Sequence, residues 1–213
     1  MTLDEYLNEH HKNVDGWCSV EKAKRLISLI TGLVPELCVE IGVFGGSSLL
    51  PQALALQQNK KGLIVGIDPW TSEAALEEMS NQTNQEWWEK IDYEQIYNKL
   101  VGYIKNLHLE DYVDLVRDKS ENVYESFKDE SIDILHIDGN HCESMAFKDV
   151  INFFPKVKTN GFIFYDDINW VEEPEKISTK MGLDYLLPRC IQVDVIGDCM
   201  ILKKLPNRGC NVS

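Results

Sequence analysis

The chain has 213 residues, 44% of them apolar and 26% charged, with 35 Asp and Glu against 21 Lys and Arg for a formal net charge of -14. That length suits one domain and buries roughly 70% of the unfolded surface, so folding needs no disulfide or metal staple. The acidic balance, with no run of Lys or Arg, argues against a nucleic-acid partner and against an anionic membrane surface, since both need a basic face.

The N-terminus, MTLDEYLNEHHK, is polar and lacks the apolar stretch of a secretory signal, and no apolar run reaches the length of a membrane span. Through about Thr31 the apolar residues Val20, Ala23, Leu26, Ile27 and Ile30 recur at helical spacing. This predicts a helical cap over 1–31, or a contact in a homo-oligomer. ELCVEI (36–41) reads as a buried strand, followed by a Gly-rich turn and a helix near SSLLPQALALQQ, with Pro51 in its first turn. GLIVGID (62–68) is a second strand, YVDLVRD (112–118) a third, IDILHID (132–138) a fourth and GFIFYDD (161–167) a fifth. The segment 71–107 carries Trp87 and Trp88, is helical in composition, and reads as an insertion or lid. MAFKDVINFFPKV is an amphipathic helix between the fourth and fifth strands. CIQVDVI, Gly197-Asp198 and CMILKKL form a hairpin pattern. The rhythm predicts a single α/β domain over 1–213: Rossmann-like and doubly wound, its mostly parallel seven-stranded sheet ending in an antiparallel hairpin. The six Cys show no C-x-x-C pair. Without a secretory signal they read as free thiols in a reducing cytoplasm, most of them buried and Cys210 exposed in the tail.

Four constellations carry chemistry. In VEIGVFGGSS (39–48), glycines let the backbone turn sharply and let a ligand approach, and the helix opening at Ser47 and Ser48 offers free N–H groups to an anion such as a carboxylate. Asp68 ends the second strand, where a carboxylate can take two hydrogen bonds from a ribose diol; capping the next element is the plain alternative. Asp138 ends the fourth strand, and Asp166 and Asp167 end the fifth. Adjacent strands lie roughly 5 Å apart, so these carboxylates can meet. They would repel unless a cation joined them, and oxygen ligands favour Mg²⁺, with Ca²⁺ or Mn²⁺ as alternatives. His141, three residues after Asp138, can ligate, take a proton, or simply begin a helix. His136 reads as a core histidine. G-x-S-x-G, H-E-x-x-H, Walker A and zinc-spaced Cys/His patterns are absent from the sequence.

On VEIGVFGGSS, GIDPW, VRDKSENV, IDILHIDGNH and GFIFYDDINW, the chain from about 36 to 170 resembles the class I S-adenosylmethionine-dependent methyltransferases. More narrowly, it is similar to the metal-dependent small-molecule O-methyltransferases related to the macrocin and mycinamicin sugar enzymes and, more remotely, to catechol O-methyltransferase. The resemblance implies that Glu40, Gly42 and Gly45 shape the methionine side of the cofactor pocket, beside the Ser47 helix start. It further implies that Asp68 holds the ribose and that Asp118 and Ser120 touch the adenine end. Asp138, Asp166 and Asp167 would bind Mg²⁺ or another divalent cation, and His141 would act as base. Asp167 stands where the catechol branch often has Asn, which favours the sugar-type branch. The implied acceptor is a small-molecule hydroxyl, a vicinal diol on a sugar, glycan or catechol. Two other readings stay open here. One is a nicotinamide oxidoreductase, although G-x-G-x-x-G spacing is missing and the aspartates would then have no task. The other is a non-methylating relative on the same fold. Trp70, Trp87, Trp88 and Trp170 would line an acceptor pocket or pack in the core.

Overall fold

The computed structural model describes residues 2–173 and 176–206; the expectation for Cys210 lies outside them. The five apolar runs become β1 (Leu37–Ile41), β2 (Leu63–Ile67), β3 (Val113–Val116), β4 (Ile132–Ile137) and β5 (Val157–Tyr165), all parallel. A small antiparallel pair, β6 (Val171–Glu173) and β7 (Lys176–Ile177), follows, and then the predicted hairpin of β8 (Cys190–Ile196) and β9 (Cys199–Lys204). The main sheet has seven strands in the order β3-β2-β1-β4-β5-β9-β8. The second hairpin strand, β9, pairs antiparallel with β5, and β8 takes the edge. Strand order reverses between β1 and β4, so a crevice opens at their carboxyl ends, where ligands of doubly wound sheets bind.

The helices are α1 (Leu3–Glu5), α2 (Val20–Leu33), α3 (Leu49–Asn59), α4 (Ser72–Ala75), α5 (Gln82–Trp88), α6 (Tyr93–Asn106), α7 (Ser120–Val123), α8 (Glu143–Phe153) and α9 (Lys180–Leu186). Leu26 and Ile30 of α2, Leu50 of α3 and Leu100 of α6 pack with Cys38, Ile64 and Ile134 on one sheet face. Val150 and Phe153 of α8 and Leu186 of α9 pack with Val39, Leu135 and Ile163 on the other. Successive side chains of each strand thus feed opposite cores, and for this reason the strands read as continuous apolar runs rather than alternating ones.

Two predicted segments are divided by the fold. The N-terminal cap breaks at Gly16 (φ +131°), where a Cβ would stand 2.3 Å from Ser47 Oγ, and α2 starts afresh from Ser19, whose hydroxyl caps Lys22 N–H at 3.1 Å. The segment 71–107 separates into a rim, carrying α4 and α5, and α6, whose Ile96, Leu100 and Ile104 are buried. A parallel β2–β3 pair needs a crossover, and α6 supplies it. No helix among the described residues is long and apolar enough to cross a membrane. Of the described cysteines, Cys38, Cys142, Cys190 and Cys199 are buried.

Candidate active site

A cavity of about 670 Å³ opens at the carboxyl ends of the central strands, between the N-terminal segment and the α4–α5 rim. Its floor on one side is the Gly-rich turn. Gly42 has φ +81°, and a Cβ there would stand 1.9 Å from Asp138 O, so the turn runs hard against the end of β4. Asp68 ties the turn down. Its Oδ2 accepts from Val43 N–H at 3.1 Å and Phe44 N–H at 3.0 Å, and its Oδ1 accepts from Trp70 N–H at 2.7 Å. Burial pushes the Asp68 carboxyl up, against the pull of these three donors.

The predicted cofactor residues divide. Gly42, Ser47, Asp68 and Ser120 line the cavity. Glu40, Gly45 and Asp118 do not. Glu40 is fully buried beneath the turn and accepts from Ser48 Oγ at 2.7 Å and Gln52 Nε2 at 2.5 Å, so it braces the helix start from below. Gly45 lies against the N-terminal segment, where a Cβ would meet Asp15 O at 2.3 Å. Asp118 is exposed and satisfies its own turn, accepting from Lys119 N–H at 2.7 Å and Asn122 Nδ2 at 2.8 Å. Ser120, two residues on, faces inward and hydrogen-bonds Asp149.

The three aspartates do meet. Asp138 N–H donates to Ile41 O at 2.9 Å and Asp166 N–H to Ile137 O at 3.0 Å, continuing the ladders that set β4 between β1 and β5. Asp167 has φ +53°, a sharp turn directly after Asp166. The cluster consequently falls into two groups. Asp166 Oδ2 takes His136 Nε2 at 2.5 Å and Lys22 Nζ at 2.7 Å, and Lys22 stands 3.8 Å from Asp138 Oδ2. On the cavity side, His141 Nε2 lies 2.5 Å from Asp167 Oδ2 and 3.6 Å from Asp138 Oδ1, its ring stacked on Trp170 with centroids 4.9 Å apart.

The electrostatics follow from this partition. Burial opposes a charge on His136, but Asp166 and Glu40 outweigh it and hold its pKa at about 10. Burial likewise opposes His141, and Asp138 and Asp167 push it up to about 10. Asp166 is held well below the usual carboxylate range by His136 and Lys22, in spite of its burial. Asp138 is raised by burial and by the neighbouring negative charge of Asp166. His136 is therefore more than a packing residue; its Nδ1 also lies 3.4 Å from Glu40 Oε2.

Among the described residues, two donor sets converge closely enough to share a cation: His136, Asp138 and Asp166, and Asp138, His141 and Asp167. The second set fits a metal on its own geometry. His141 Nε2 is buried without an aligned hydrogen bond although two carboxylate oxygens approach it.

A sequence model of the family described as a methyltransferase domain matches residues 39–168. The chain belongs to the methyltransferase-domain family. Uncharacterized protein R132 of Acanthamoeba polyphaga mimivirus is 29% identical over 129 residues, which cover 61% of this chain and 50% of that protein, so the chain spans about half the length of the curated relative it matches. Three solved structures share the fold. The methyltransferase PaMTH1 of Podospora anserina, bound to SAH, has a TM-score of 0.66 at 17% identity, over 96% of this chain and 88% of that one. The O-methyltransferase of Bacillus cereus, in complex with SAH, has a TM-score of 0.65 at 17% identity, over 96% and 90%. The O-methyltransferase TomG of Streptomyces achromogenes, involved in tomaymycin synthesis and in complex with SAM, has a TM-score of 0.65 at 15% identity, over 95% and 88%.

In this methyltransferase domain several cavity residues went unnoticed in the sequence. Lys22 lies on the buried stripe of α2 with Leu26 and Ile30, and a lysine on an apolar stripe signals a buried partner. Asp149 sits on the buried face of α8 with Ala146, Val150 and Phe153, the same signal. Trp17 stacks on Phe44 with centroids 5.3 Å apart and joins Trp87 and Trp88 over the cavity mouth. Of the predicted tryptophans, Trp87, Trp88 and Trp170 line the cavity, whereas Trp70 is buried and donates to Phe44 O at 2.8 Å.

Burial pushes Asp149 up to about 7, against the pull of the Ser120 hydroxyl. A carboxyl whose folded pKa exceeds its unfolded value of about 3.9 holds its proton better when folded, so it lowers stability as pH rises from about 4 to about 7. Asp149→Asn removes that slope. Between pH 5 and pH 7 the parent should lose about 2 kcal/mol more unfolding free energy than the variant. Urea titrations at both pH values measure this, and parallel slopes would show that Asp149 does not titrate there.

Proposed function

We propose that the chain is an S-adenosylmethionine-dependent O-methyltransferase acting on a small-molecule hydroxyl that belongs to a vicinal diol, with a divalent cation assisting. The carrying observation is that one cavity holds both halves of such a reaction: the Gly42 turn with Asp68 on one side, and Asp138, His141 and Asp167 on the other. Asp68 supports the donor half. A carboxylate has about four acceptor positions, and the three backbone donors leave one for a ribose hydroxyl. Ser120 and Asp149 offer hydrogen-bonding groups for the adenine end, and the Ser47–Ser48 helix start offers N–H groups to the methionine carboxylate. SAM and SAH in the fold neighbours support the same donor.

A cation in this cavity would be held by Asp138 and Asp167 and would act as a Lewis acid, lowering the pKa of the acceptor hydroxyl. The protein's own part is placement: it sets the acceptor oxygen behind the transferable methyl, which supplies roughly 7–11 kcal/mol of the barrier reduction. Trp17, Trp87 and Trp88 narrow the mouth and shield the sulfonium from water. Asp167 in place of Asn supports the sugar-type, macrocin-like branch over the catechol branch. The free thiols of Cys18, Cys38, Cys190 and Cys199 support a cytoplasmic setting.

Transfer of a labelled methyl group from S-adenosylmethionine to a panel of sugar and catechol diols tests the proposal. Transfer should stop with excess chelator, return with divalent cation, and fall about 100-fold or more in Asp138→Ala. Undiminished transfer in excess chelator would remove the metal from the reading. Absence of SAH binding by calorimetry would remove the donor.

A further inference from the structure

Most carboxylates of the cavity are already engaged. Asp68 holds the Gly-rich turn, and Asp138, Asp166 and Asp167 meet Lys22, His136 and His141. Glu77 pairs with Lys119 at 2.6 Å, and Asp198 accepts from Asn169 Nδ2. Asp149 differs. It is 6% exposed, lines the cavity from the buried face of α8, and its Oδ1 accepts from the Ser120 hydroxyl. Among the described residues no hydrogen bond reaches its Oδ2 and no cation pairs with it. Its chain neighbour Lys148 turns to Glu121 instead, at 3.4 Å. An unmet acceptor in so buried a group is costly unless something in the cavity supplies a hydrogen.

The wall beside Oδ2 is bare. A Cβ built on Gly139 would stand 3.0 Å from Asp149 Oδ2 and 3.2 Å from Ile41 Cγ2, so the missing side chain keeps the carboxylate open to the cavity. Ile41, Ile67 and Met145 line the same cavity and give apolar surface for a flat ring. The strand ends set the direction of a ligand. The Gly-rich turn follows β1, Asp68 ends β2, and Ser120 opens the element after β3. A donor with its carboxylate at the Ser47 helix start and its ribose on Asp68 therefore carries its base toward Ser120 and Asp149. Asp118 is turned away to Asn122 and does not line this space.

We infer that Asp149 Oδ2 accepts a hydrogen from the 6-amino group of the adenine, the contact that the resemblance implies for Asp118, and that Ser120 is the positioning residue that holds the carboxylate for it. This deepens the proposed S-adenosylmethionine reading and rests on it. It makes Asp149 the residue that selects an aminopurine, because a base without the amino group leaves the buried oxygen unpaired.

The test is calorimetry on the full chain with SAH and with the analogue that carries hydrogen in place of the 6-amino group. It is run at pH 8.5, above the value of about 7 to which burial pushes the Asp149 carboxyl. Wild type should bind SAH about tenfold or more tighter than the analogue, as a hydrogen bond to a charged group requires. In Asp149→Leu the preference should fall to within about threefold, the loss falling on SAH while the analogue keeps its affinity. A carboxylate that merely braced Ser120 would weaken both ligands alike. Asp149→Asn, whose amide is a neutral acceptor, should keep about a third or less of the wild-type preference, and it decides should the leucine variant not fold. Ser120→Ala should retain a preference above about threefold, since the carboxylate remains. Equal binding of the two ligands by wild type, an undiminished preference in either Asp149 variant, or loss of the preference in Ser120→Ala overturns the inference. Absence of SAH binding by wild type overturns the donor reading beneath it.

Discussion

Replacing Lys22 by methionine should lower the unfolding free energy by about 3–5 kcal/mol, the cost of breaking a buried ion pair by removing one partner. The Lys22 ammonium lies 2.7 Å from Asp166 and 3.8 Å from Asp138, with 9% of its side chain exposed, so little water can replace it. Its pKa is raised: burial opposes the charge, and Asp138 and Asp166 more than compensate. Without it, His136 is the one cation left on Asp166 among the described residues, and Asp138 loses Lys22. Methionine matches the length of the stem, so the loss reports charge rather than a cavity. Urea unfolding at neutral pH measures it, and Lys22→Arg, which keeps the charge, should recover part of the loss. A change below about 1 kcal/mol in the methionine variant would mean that the pair is solvated and contributes no more than a surface contact.

Gly42→Ala should remove cofactor binding. The added Cβ would stand 1.9 Å from the carbonyl oxygen of Asp138, 2.5 Å from its carbon and 2.7 Å from Gly139 Cα. All three are backbone atoms, so no side chain can swing aside. The φ of +81° adds a left-handed penalty of about 1–2 kcal/mol for any residue with a Cβ. Overpacking costs about 1–3 kcal/mol more. The relief available is to part the ends of β1 and β4, which moves the Val43 and Phe44 N–H groups off Asp68. We expect SAH affinity to fall by about 100-fold or more, near 3 kcal/mol at 1.4 kcal/mol per decade. Gly102→Ala is the control. It lies in α6 with nothing within 4 Å of the added Cβ, and should be neutral or stabilising by up to about 1 kcal/mol with unchanged SAH affinity. Equal affinity for SAH in wild type and Gly42→Ala, by calorimetry, would mean that the turn does not shape the donor pocket.

Much of the site was legible because it depends on position along a strand. The apolar runs place Asp68, Asp138, Asp166 and Asp167 at carboxyl ends of neighbouring strands, and the ladders of β1, β4 and β5 bring the last three together. Glu40, Gly45 and Asp118 lie off the cavity lining for a shared reason. Each lies beside a cavity residue in sequence, but burial and local hydrogen bonds turn Glu40 under the turn, Gly45 toward Asp15 and Asp118 toward Asn122.

Periodicity, turn glycines and strand-end acids were enough to determine a doubly wound domain with an acidic crevice, because those signals are carried by residues a few positions apart. How the charges pair is another matter. Lys22 and Asp166 are 144 residues apart in the chain and 2.7 Å apart in space. Only the tertiary structure decided that Asp166 pairs with Lys22 and His136 while Asp138 and Asp167 meet His141. Coulomb energy depends on distance through space and on the water excluded from it, and neither is written in local spacing.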